Sequence, residues 1–177
     1  MDVFQAIAQR YSYRDEFVDQ PVPREHLRAI VHAGLQAPSG KNAQTTRFVI
    51  VDDPALLAAI NEVMPANAAV RTARAMIACV IDKRPEAVYE GYAFQVEDCA
   101  AAVENILLAL TALGYASVWI DGRLRLERNA ARIGELLGVP DDKVVRILLP
   151  VGVPVAPGPR REKLPFEHRA WFNRYAC

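Results

Sequence analysis

Apolar positions along the chain change period several times, and each change marks an element. Over Asp2 to Gln9, Val3, Phe4, Ile7 and Ala8 recur at spacings of three and four, which predicts a short helix whose end delivers Arg10. Pro23 suits the first turn of a second helix, whose apolar face of Leu27, Ile30, Val31, Gly34 and Leu35 runs until Pro38 ends it. After a loop, Pro38 to Gln44, the β-branched run Phe48 to Val51 reads as a buried strand. Asp52 or Asp53 then caps a helix from Leu56 to Val63. Further strands fit Ala75 to Ile81, Ser117 to Ile120 and Val144 to Val151, each short and almost wholly apolar, as in a sheet covered on both faces. A helix from Glu127 to Leu137 precedes the last of these. The tail, Pro154 to Cys177, carries four prolines, which favour extended chain over helix as far as Glu167.

The helix from about Val96 to Leu113 is the most informative. Its apolar residues, from Cys99 through Leu113, go all the way round, so every side must be covered. A symmetric homodimer covers one side most simply. A central helix enclosed within a monomer is the other reading.

Composition narrows the classes. A chain of 177 residues, 52% apolar and 24% charged, is expected to form one globular domain over residues 1–177. Lys and Arg (21) balance Asp and Glu (21), so no net field draws it to nucleic acid or an anionic membrane. The longest uncharged apolar stretch, Asn105 to Ile120, is shorter than the roughly 20 residues of a membrane helix. Met1-Asp2-Val3-Phe4 shows no secretory pattern, so a cytoplasmic protein is expected. Cys79, Cys99 and Cys177 lack metal or dithiol spacing and read as reduced, the first two as small hydrophobes. His26 and His32, six apart on one helix, point about 240° away from each other and cannot share a metal. His168 reads as solvated.

Familiar catalytic motifs are missing. A P-loop would need glycine at Leu35 and Ser or Thr at Asn42, and no G-x-G-x-x-G, G-x-S-x-G or H-E-x-x-H occurs. What remains is donor chemistry. Arg10, Ser12 and Arg14 alternate, so in extended chain all three point to one side and suit a phosphate; a solvated, salt-bridged surface is the plainer reading. Arg160, Arg161 and Lys163 in the tail could close over the same anion. Asn42 and Gln44 in the loop can each donate and accept, which fits the edge of a heterocycle, although a turn needs such residues anyway. Val118-Trp119-Ile120-Asp121-Gly122 is a strand end with a glycine against which a flat ligand could lie.

Taken in order, these segments resemble the FMN-dependent nitroreductase family: Arg10-x-Ser12-x-Arg14, then Ala37-Pro38-Ser39-Gly40-x-Asn42-x-Gln44, then Glu104-Asn105 through Leu113-Gly114-Tyr115 to Trp119-Ile120-Asp121-Gly122. Ile133-Gly134-x-Leu136-x-Gly138-Val139-Pro140 and Val151-Gly152-x-Pro154 complete the series, which covers almost the whole chain. The resemblance implies an α+β fold, a three-layer α-β-α sandwich with an interface-forming central helix and an extended C-terminal tail, dimeric, with FMN in clefts between subunits. It implies that Arg10, Ser12 and Arg14 bind the FMN phosphate and ribityl chain, joined by Arg161 and by Arg160 or Lys163. Pro38, Ser39 and Asn42 would reach the flavin ring from the partner subunit, and Asp121 with Gly122 would bring backbone N–H groups to its reactive edge. Two positions depart from the family pattern. Its second arginine is Tyr11 here, and its Pro-Trp pair after the Gln is Thr45-Thr46. The short stretch between Asp82 and Asp98, where larger members carry a helical lid, implies an open cleft.

The expected function is therefore an FMN-dependent oxidoreductase that takes hydride from NADH or NADPH and reduces a small-molecule acceptor, a nitroaromatic or quinone, by a ping-pong mechanism. No side chain need act as acid, base or nucleophile when the flavin carries the chemistry. Reductive dehalogenation, flavin fragmentation and non-catalytic flavin binding are the rival readings.

Overall fold

The computed structural model describes residues 1–175. The sequence reading of Cys177 lies outside the described residues. The chain runs α1 (Val3–Gln9), α2 (Arg24–Leu35), β1 (Arg47–Val51), α3 (Pro54–Val63), α4 (Ala68–Thr72), β2 (Ala75–Asp82), α5 (Gln95–Ala112), α6 (Asn129–Leu136) and β3 (Lys143–Val151). Short 3₁₀ turns lie at Gly40–Asn42, Gly122–Arg125 and Phe166–His168.

Polar caps set the starts of α1, α3 and α4. Asp2 and Gln5 close a capping box on α1, and Asp53 accepts from the N–H groups of Ala55 and Leu56 at the start of α3. Asp52, the other candidate cap, instead takes both Nε and Nη2 of Arg24. The five-residue α4, which the apolar pattern does not reveal, is capped by Asn67.

The sheet is three-stranded in the order β1-β2-β3, with both pairings antiparallel. Seven of the eight residues of β2 are buried. They feed two cores. On one face Ile77 and Cys79 meet α2 and α5 through Leu27, Ile30, Val103 and Ile106; on the other Met76, Ala78 and Val80 meet α3, α4 and α6 through Ile60, Val70 and Ile133. The result is the three-layer α-β-α sandwich expected from the sequence. Burying each of these large side chains contributes about 1.5–3 kcal/mol against leaving it in water. Gly34 allows α2 and α5 to cross closely, because a Cβ there would stand 2.7 Å from a side-chain carbon of Ile106.

One expectation needs correction. Ser117 to Ile120 is not a fourth strand. It makes single bridges instead, from Ser117 to Ser12, from Ile120 to Leu148 and, one residue earlier, from Ala116 to Gly152. The segment threads between three partners, and no neighbour runs beside it long enough to form a ladder. The all-round apolar helix, now α5, has a covered side and an open one: Cys99, Val103, Ile106 and Leu110 are buried, whereas Val96 and the following cap residue Leu113 are 47% and 44% exposed. The apolar face of α1 is open as well, with Phe4 80% and Ile7 52% exposed.

β3 contains a bulge. Cys79 faces Ile147 but Val80 faces Val145, so Arg146 has no partner in the ladder. The insertion explains the packing, since Val144 and Ile147 go to the α2–α5 core while Val145 and Leu148 go to the opposite one.

Candidate functional site

The extended segment after α1 places its residues as alternation requires. Tyr13 turns inward, 2% exposed, and its hydroxyl donates to the carbonyl of Glu16. Arg10, Ser12 and Arg14 consequently line one cavity of about 780 Å³, with Arg160, Arg161 and Lys163 of the tail on its other side. The tail is brought there by the Phe17–Pro154 bridge, by Val155 N–H donating to the carbonyl of Glu16, and by Gly158, whose missing side chain leaves room for the ring of Tyr11. Five cationic side chains thus face two carboxylates, Asp15 and Glu104. Arg10 stands 3.4 Å from Glu104, and the three tail cations make no ion pair among the described residues. Such a donor set is ready for a polyanion, and the cavity is within the usual 300–1,000 Å³ of a small-molecule site.

The other candidates lie apart from this cavity. Pro38 and Ser39 border a second hollow of about 300 Å³ with Thr45, Thr46 and Asp98, and Asn42 sits exposed on the 3₁₀ turn beside it. That loop is held in an uncommon shape, with Lys41, Asn42 and Gln44 all at positive φ. Its anchor is Asp98, a buried carboxylate of α5 that sequence reading missed. Oδ1 accepts from the N–H of Gly40 at 2.9 Å and Oδ2 from the hydroxyl of Thr45 at 3.1 Å, so both ends of the loop are tied to one side chain. Ser39 Oγ accepts from Gln44 N–H at 3.0 Å, and Lys41 Nζ lies 4.6 Å over the ring of Tyr89.

Asp121 and Gly122 form the turn after the Ile120–Leu148 bridge, and the open side of Gly122 has no atom within 4 Å of a Cβ. The Ser12–Ser117 bridge links this turn to the cationic cavity, since Asp121 lies four residues beyond Ser117, at most about 13 Å of extended chain. The Asp121 carboxylate is gripped by Arg125, at 2.7 and 3.0 Å, and by Arg146. Hydrogen bonding from Arg125, then from Arg146, holds it below the usual carboxylate range against the opposing effect of burial.

Of the histidines, His32 borders the second hollow with Pro38 and Ser39, and His26 and His168 lie outside both hollows. His26 Nδ1 hydrogen-bonds the Tyr115 hydroxyl at 2.7 Å, and His168 is exposed. Cys79 and Cys99 are free and buried, and contact with Cys99 together with burial pushes the Cys79 thiol up. No cluster of three metal-ligating side chains occurs among the described residues. None of their helices is long and apolar enough to cross a membrane.

The profile of the nitroreductase family matches residues 7–87 and 65–153, which takes in most of the chain. The chain belongs to the nitroreductase family. Its similarity to individual members is consistent with this. It is 36% identical over 138 residues to an Archaeoglobus fulgidus protein assigned as an NADH dehydrogenase/NAD(P)H nitroreductase, covering 78% of each chain. A Methanothermobacter thermautotrophicus protein of the same assignment is 34% identical over 161 residues, covering 90% of this chain and 82% of that one. Among solved structures, a Desulfovibrio desulfuricans nitroreductase in complex with FMN superposes with a TM-score of 0.79 at 27% identity over 99% of each chain. This nitroreductase-family chain is accordingly an oxidoreductase with the α+β fold of the family.

Proposed function

We propose that this nitroreductase-family chain is a single domain, residues 1–177, that binds FMN, takes hydride from NADH or NADPH and passes electrons to a small nitroaromatic, quinone or related acceptor. The observation that carries the reading is the cationic cavity, in which two segments about 150 residues apart in sequence bring Arg10, Ser12, Arg14, Arg160, Arg161 and Lys163 together. That donor set fits the phosphate of FMN. The cofactor, when bound, supplies the hydride chemistry. The chain's own residues bind and orient. Arg10, Ser12, Arg14 and Arg161 hold the phosphate and ribityl end; the Asp121–Gly122 turn presents backbone to the ring edge; Pro38, Ser39 and Asn42 cover the ring of a second copy's cofactor.

A homodimer supports this last role. The open apolar faces of α1 and α5, with Phe4, Ile7, Val96 and Leu113, are exposed in one chain and would be buried in a pair. In this reading nicotinamide and acceptor occupy the same place over the flavin in turn. The purified protein should be yellow, should bleach on anaerobic addition of NADH or NADPH, and should give parallel double-reciprocal lines. Converging lines would refute the shared cleft. A colourless protein that takes up no FMN would refute the functional reading, and a flavin-loaded monomer by light scattering would refute the dimer.

A further inference from the structure

Arg146 is the one charged residue between Lys143 and the end of β3, and the bulge makes it the one residue there without a ladder partner. Bulges bend a strand and re-aim a side chain. Here the re-aimed guanidinium reaches Asp121, and with it the first residue of the turn that ends in Gly122. The arginine is largely enclosed, its side chain 19% exposed, whereas Arg125 on the same carboxylate is 60% exposed. The connection is short on both sides. Ile120 and Leu148 exchange both backbone hydrogen bonds, so the residue before the turn is tied to the strand two places from Arg146. Beyond the turn, Leu124 N–H donates to the carbonyl of Asp121 at 3.0 Å.

We propose that Arg146, thrown out of the β3 ladder by the bulge, is a positioning residue that fixes the Asp121–Gly122 turn so that its backbone can meet the ring of the bound flavin. The flavin part of this statement rests on the function proposed above; the fixing of the turn does not. Two guanidinium groups on one carboxylate leave one positive charge in excess beside the turn. The enclosed arginine is the one that holds it, because an exposed ion pair is screened by water and contributes little.

The test compares Arg146→Met, Arg146→Lys and Arg125→Met in the full-length protein, by amide hydrogen exchange without flavin and by titration with FMN and riboflavin. Arg146→Met should speed exchange at Ile120 and Leu124 by about tenfold, and Arg125→Met by less than about threefold, because only the first removes the side-chain tie between the turn and β3. Arg146→Lys, which keeps the charge, should recover part of the loss. In Arg146→Met, FMN and riboflavin should weaken by the same factor, since the perturbation is at the ring and not at the phosphate. Unchanged exchange in Arg146→Met, or an equal effect of Arg125→Met, would overturn the positioning role. Selective loss of FMN with riboflavin intact would overturn its placement at the ring. If the unaltered protein bound neither flavin, the functional reading would fall, and the exchange rates would still decide whether Arg146 holds the turn.

Discussion

Replacing Arg10 by Ala should separate the two ends of the flavin. Its side chain is 23% exposed and its one ion-pair partner, Glu104, is 49% exposed at 3.4 Å, so losing that pair costs the fold less than about 1 kcal/mol. Its hydrogen bond to a phosphate would be charge-assisted and contribute about 1.5–3 kcal/mol. Removing Arg10 also leaves Glu104 as an unbalanced carboxylate on the cavity wall, which adds to the loss. A total near 2 kcal/mol is about a thirtyfold rise in the Kd for FMN. Riboflavin has no phosphate and should weaken by less than about threefold under the same reasoning. Fluorescence titration of flavin-free protein with both ligands measures the difference, and a urea midpoint shared with the unaltered protein shows that folding is intact. Glu104→Gln added to Arg10→Ala should return part of the FMN affinity. Equal losses for FMN and riboflavin would refute the assignment of this cavity to the phosphate.

Three further outcomes are expected. Asp98→Ala strands the Gly40 N–H and the Thr45 hydroxyl, and should lower stability in urea by about 2–4 kcal/mol, whereas Asp98→Asn, which keeps an acceptor for Gly40, should cost less than half as much. Gly34→Val forces side-chain atoms into Ile106 at the α2–α5 crossing and should destabilise by about 1–3 kcal/mol in the same assay. Asp121, Asp52 and Asp142 have carboxyl groups depressed in the folded state, first by hydrogen bonds from Arg125, Arg24 and Lys143 respectively. Their contribution is complete above the unfolded carboxylate value of about 3.9 and is lost as pH falls below it, so stability measured from pH 6 to pH 3 should decline mainly at the acid end, and less steeply in Asp121→Asn.

Much of this was legible because period and capping are local. Helices α1, α2, α3, α5 and α6 begin and end within about two residues of the positions that apolar spacing predicts. The alternation Arg10-x-Ser12-x-Arg14 translated directly into geometry, because Tyr13 between them has an apolar core to enter. Segment 117–120 was misread for a reason that sequence does not record: an apolar run satisfies a strand pattern whether its hydrogen bonds go to one neighbour or to three. The handful of residues in α4 is too short for any period.

The residues missed at the site share a different cause. Arg146 is a lone charge in the apolar run of β3, and Asp98 follows Glu97 in the first turn of a mostly apolar helix; from sequence each can be read only as an irregularity. What it serves depends on partners far away in the chain: Gly40 and Thr45 for Asp98, Asp121 for Arg146. Yet the irregularity is itself the signal. Enclosing an ionised side chain is costly unless it is paired, so a charge within a buried run implies a partner group that must be brought to it. In this chain both partner groups are turns at the candidate site, the loop from Gly40 to Thr45 and the turn at Asp121. Of the charges that interrupt apolar runs, Asp98 and Arg146 are therefore the two that tie the rigid layers to the loops, whereas Glu104, which interrupts α5 as well, lines the cationic cavity and pairs with Arg10.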